Sequence, residues 1–233
     1  GTVHQFHQSV GIDSGPGLTC SDNKHGDIFS GSRIGRQHDK FRFGTGDNAV
    51  RCIAVASTNN YLAAFQGFTI RNGRTWKNDN SNVKSMGAAL NNVDMGSSSF
   101  PSFGTAFLLD CVVTNCSGNR AGCIAGGSAY RCKFYDCKSF NGGGQCVLRY
   151  CSIVSSSFTG CGGKSQLFGN TAKGYNCTIY GSVGDAPQSV YNDSGVKGYL
   201  YNCVSGRPSG TDIGQEPTDD QLVNTLYCRM SAS

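Results

Sequence analysis

Tryptophan and glutamate each occur once in the 233 residues, as Trp76 and Glu216, and proline only five times. The 15 acidic residues are spread thinly, so the two facing carboxylates that glycoside hydrolysis needs are not visible as a motif. All four histidines (His4, His7, His25, His38) fall early in the chain without an HExxH spacing, and no CxxC occurs. They read as surface residues of irregular first coils, and no metal site is expected. Apolar residues almost nowhere recur at helical spacing, and no apolar run approaches the roughly 20 residues of a membrane span. Charge is also sparse, at 15% of residues with a net +5. The basic residues form two loose sets, Arg33/Arg36/Lys40/Arg42 and Arg131/Lys133/Lys138/Arg149. Both read as solvated faces, with attraction for acidic polysaccharide as the sharper alternative. The aromatic-plus-basic modules that read nucleic acid are missing.

The chain is rich instead in glycine (33) and cysteine (13), with 38% apolar residues that recur in register, which excludes disorder. Short β-favouring segments carrying a cysteine repeat between Gly/Ser/Asn turns: Phe107 to Val113, Tyr130 to Phe134, Arg149 to Ile153. Aligned with their neighbours, they give one column of Phe68, Val93, Cys111, Cys132, Cys151, Cys177 and Cys203. A second column, two places later, runs Ile70, Met95, Val113, Phe134, Ile153, Ile179 and Ser205. Residues two apart on a strand share a face, so both columns point inward, and the polar position between them points out. Successive steps are 25, 18, 21, 19, 26 and 26 residues, the size of one coil. Such a repeat predicts an all-β, single-domain parallel β-helix, right-handed by the default for parallel crossovers, with an interior Cys/aliphatic ladder. Second segments (Cys123-Ile124-Ala125, Cys146-Val147-Leu148, Gln166-Leu167-Phe168, Val190) recur once per coil and line another wall.

The divisions expected are 1–47 as irregular early coils, 48–208 as the repeats, and 209–233 as a C-terminal cap. In the cap, Thr218 would start a short helix covering the last open edge. The abrupt start at Gly1 suggests a segment of something longer. Thirteen is an odd cysteine count, so at least one thiol is unpaired. The column cysteines read as small buried hydrophobes. Cys116/Cys137 is the better disulfide candidate, and metal binding by the repeated C-x4-C pairs is a weak third option.

The phrase Gly67-Phe68-Thr69-Ile70-Arg71-Asn72-Gly73, followed by Asp110-Cys111-Val112-Val113 and Asn176-Cys177-Thr178-Ile179, resembles parallel β-helix repeats of the pectate-lyase-like superfamily. It is most similar to those of polymorphic outer-membrane proteins, over about 48–207. The resemblance implies fold more than activity, because these residues are structural. It also implies an extracellular or cell-surface setting. Enzymes of the superfamily are polysaccharide lyases and hydrolases, and a lyase would imply a Lys or Arg base and a bound calcium. Lys133, Arg131 and Arg149 are the nearest to such a base. No cofactor is otherwise expected.

The expected function is an extracellular or surface adhesin-type β-helix that presents loops, to glycans above all, without catalysis. A polysaccharide lyase or hydrolase, or a trimeric tailspike-like depolymerase, is the alternative. Candidate sugar-stacking rings are Trp76, on a long polar excursion, and the late tyrosines Tyr175, Tyr180, Tyr199 and Tyr201. Sheet-surface packing is the competing reading of those tyrosines.

Overall fold

The computed structural model describes residues 28–30, 51–55, 63–75, 86–92, 106–140, 146–163, 166–180, 190, 197–206 and 218–228. Every strand pairing among them is parallel, and none of these residues is helical. The protein is a parallel β-solenoid whose coil runs through four walls.

One coil shows how the sequence makes the turn. Strand β6 (Ala106–Leu109) lies in the second wall, and Asp110 follows at φ 52°. Strand β7 (Val112–Thr114) lies in the first wall, and Asn115 follows at φ 51°. Strands β8 (Ser117–Gly118) and β9 (Ala121–Ala125) then run through the fourth and third walls. Gly126 and Gly127, at φ 73° and 77°, return the chain to β10 (Ser128–Tyr130) of the second wall. One or two left-handed residues redirect the strand at most of these corners, which is why Asn, Asp and Gly stand there so often.

The first wall holds eight strands. Its inward column is Ile70, Val113, Phe134, Phe158, Ile179 and Ser205 in continuous register. The second wall holds seven strands, and its inward column is Phe65, Leu108, Ala129, Ile153, Gly174, Leu200 and Leu222. The third wall has five strands and the fourth three. The expected second-segment wall is this third one: Ile124, Leu148 and Phe168 stack in it, and Val190 bridges Phe168. Phe134 stacks on Phe158 at 4.6 Å, and Phe158 meets Phe168 edge-on at 5.5 Å, which ties the first wall to the third.

Several expectations need correcting. Ile153 belongs to the second wall, not to the column of Phe134 and Ile179; its place there is taken by Phe158. Likewise the cysteine column at the corner into the first wall reads Cys111, Cys132, Ser156, Cys177 and Cys203, with Cys151 at a different corner. The cause is the corner itself: Tyr130-Arg131-Cys132-Lys133-Phe134 is two strands about a bend, so similar phrases occur at more than one corner per coil. Residues 69–71 pair directly with 112–114, so those two strands are neighbours in the first wall; Val93 and Met95 lie outside the described residues. Cys116 and Cys137 are free thiols, not a bridge. Each donates to the carbonyl two residues back, Thr114 and Tyr135, at 3.5 Å. After Thr218 comes a turn closed by the Gln221 amide donating to Thr218 O at 2.8 Å, not a helix. Leu222–Val223 and Leu226–Cys228 then add one more coil by pairing with the second and first walls. Among the described residues the first pairing strand is Ile28–Ser30, which lies within residues 1–47.

Candidate ligand-binding face

The outer side of the first wall is built by alternation. With Phe134, Phe158 and Ile179 inside, the residues flanking each face solvent. One outward column reads Thr69, Val112, Lys133, Ser157, Thr178 and Val204. The other reads Arg71, Thr114, Tyr135, Thr159, Tyr180 and Gly206. Tyr180 is 71% exposed, the most of any large apolar or aromatic side chain described, and Tyr135 is 37% exposed. The next position in the column is Gly206, which carries no side chain to set beside the Tyr180 ring and is followed in register by Cys228. Val204 and Leu226, 46% and 60% exposed, extend the apolar area beside it.

Acids stand only at the edges of this face among the described residues. Asp110, at the corner from the second wall, is clamped by Arg131 through two bonds, 2.6 and 2.8 Å, and accepts a third from Gln66. The Arg131 guanidinium beside it holds the Asp110 carboxyl below its ordinary range. Asp136, at the opposite corner, leans toward the next coil: its Oδ1 lies 2.7 Å from where a Cβ on Gly160 would stand, and Gly160 directly follows Thr159.

The three basic candidates do not converge. Lys133 is exposed in the middle of the first wall's outer face. Arg131 stands at the corner, paired with Asp110 and lying over the Tyr130 ring at 4.5 Å. Arg149 is buried in the third wall, donating to the Tyr150 hydroxyl at 3.4 Å. Among the described residues, no group of three or more His, Cys, Asp and Glu side chains could hold a metal ion.

The aromatic candidates divide as well. Tyr175, Tyr199 and Tyr201 are half-buried on the second wall, away from Tyr180. The Tyr175 and Tyr201 rings stack on each other at 4.9 Å and 12°, between Val154 and Val223 of the same column. Each of these two rings therefore has one face covered by the other, while Tyr199 stands in the other outward column of that wall, in register with Lys173. Trp76 lies outside the described residues. Tyr135 and Thr159 are missed in the sequence, Thr159 because the register there places Ser152 and Ile153 where Ser157 and Phe158 stand. The corner phrase, an aromatic or aliphatic residue followed by a turn residue and then Cys or Ser, is the signal that restores it.

The fold defines a parallel β-solenoid with one flat, aromatic- and hydroxyl-bearing wall. No family model, curated protein or solved structure matches the chain. No helix among the described residues is long and apolar enough to cross a membrane.

Proposed function

We propose that the protein is an extracellular or cell-surface β-solenoid of the pectate-lyase-like kind, with repeats of the polymorphic outer-membrane type, that binds glycans without cleaving them. The observation that carries this reading is Tyr180. It is a highly exposed ring on the outer face of a paired sheet, with the hydroxyls of Thr159 and Thr178 beside it. Sugars offer apolar C–H faces to such rings and hydroxyls to such neighbours. A rigid wall also lowers the ordering cost of binding.

A glycan array probed with the full chain tests it. We expect selective binding that falls at least fivefold in Tyr180→Ala and is retained in Tyr201→Ala, on the other wall. Loss of binding in Tyr201→Ala with retention in Tyr180→Ala would move the site to the second wall. Appearance of unsaturated-product absorbance on incubation with acidic polysaccharides would replace the binding protein with a lyase, for which Lys133 is then the base to mutate.

A further inference from the structure

Tyr135 and Tyr180 share one outward column with a single small residue, Thr159, between them. Coils in a parallel sheet are about 4.8 Å apart, so the two tyrosines stand roughly 10 Å apart along the solenoid axis. Two van der Waals contacts of about 3.5–4 Å each leave room between them for one ring, and a puckered one uses the remainder. Thr159 supplies the floor with a hydroxyl. The ends of this gap are polar in different ways. On one side stand the Ser157 hydroxyl and, one coil back in the same column, the exposed Lys133. On the other, the Asp136 carboxylate leans over Gly160 to the level of Thr159.

We propose that this gap is a slot for a single pyranose, inserted edge-on between Tyr135 and Tyr180, its hydroxyls bound by Asp136 at one end and by Lys133 and Ser157 at the other. The inference rests on the glycan-binding reading above and makes it specific. A carboxylate accepting from vicinal hydroxyls and an ammonium donating to a ring or hydroxyl oxygen match a neutral sugar at both ends. Tyrosines close the slot along the solenoid axis. The glycosidic substituent must therefore leave parallel to the strands, and the wall recognises a terminal or branching sugar, not the interior of a chain laid along the axis.

The test is ligand-detected NMR with methyl glycosides of glucose, galactose and mannose, together with the matching oligosaccharides, on wild type, Thr159→Trp and Thr69→Trp. Thr159→Trp fills the slot from a solvent-facing position; Thr69→Trp makes the same exchange elsewhere on the same wall. Circular dichroism and urea midpoints report that both variants fold. We expect at least one methyl glycoside to bind the wild type, Thr159→Trp to weaken it at least tenfold, and Thr69→Trp to leave it unchanged. Affinity should rise less than threefold from monosaccharide to tetrasaccharide. Unaltered binding in a folded Thr159→Trp, or a gain of tenfold or more with chain length, overturns the slot. Array-positive glycans without any monosaccharide binding overturn it too while leaving the glycan reading standing; a protein that binds no glycan at all removes both.

Discussion

Each corner into the first wall is made by two residues with opposite jobs. The first takes the left-handed conformation: Asp110, Arg131, Ser155, Asn176, Asn202 and Asn224 all have φ between 49° and 53°. The second turns a thiol or hydroxyl inward, where it caps carbonyls. Cys132 Sγ donates to Tyr130 O and to Leu108 O of the preceding coil, both at 3.4 Å, and Cys177 and Cys203 do the same two and three coils on. Ser156 and Thr225 fill the same position with hydroxyls donating to Val154 O and Leu200 O. The column thus selects a small donor side chain, and cysteine is the least hydrated that supplies one. The left-handed position is strained for a residue other than Gly or Asn, at roughly 1–2 kcal/mol. Ser155 is exposed, and the corresponding residues on the next three coils are Asn, so nothing but backbone preference distinguishes the site. Ser155→Asn should stabilise the protein by up to about 1 kcal/mol, read as a higher urea midpoint with unchanged slope.

At the scale of strands, each wall is only two to five residues deep per coil, so stability comes from stacking between coils more than from any one strand. Phe158 is the point where this concentrates, facing Phe134 below it and Phe168 across the interior. Phe158→Ala removes both contacts and leaves a cavity that a solenoid held by coils on either side cannot collapse. A loss of about 3–5 kcal/mol in urea unfolding is expected, against about 1 kcal/mol for an outward change such as Thr178→Ala. Phe158 also marks where sequence reasoning stopped. Alternation of apolar and polar residues, together with cysteines at coil-sized intervals, made the parallel solenoid and most of the first wall legible. Three-residue strands, however, carry only one inward side chain each, so Ile153 and Phe158 satisfy the same pattern and periodicity cannot choose between them. The choice depends on which residue bends the chain, and Tyr150 and Arg131 occupy left-handed corners that residue preferences assign to Asn or Gly. That one slip hid Thr159 from between Tyr135 and Tyr180, and with it the slot, while Tyr180 itself was visible among the late tyrosines.

Across the whole molecule, the interior is lined with thiols instead of ionisable pairs, and this fixes how stability responds to pH. Eleven free cysteines are buried. Burial pushes Cys146 up to about 12 and Cys123 up to about 11, and it raises Cys151 as well. An unfolded cysteine ionises near 8.5, so above that pH the unfolded chain releases protons that the folded one retains. The native state then binds more protons, and stability falls as pH rises. Below about pH 8.5 the contribution is fully present; it is lost progressively toward pH 11–12, at roughly 1.4 kcal/mol per pH unit for each thiol involved. Through these three thiols the urea midpoint should therefore fall steeply from pH 9 to 11. Cys146→Ala should flatten that decline by about one proton's worth while lowering stability at pH 7, because it empties packed volume in the third wall. A midpoint that stays level through pH 11 in the wild type would mean that the thiols are not shielded, and that the coils do not close around them as described.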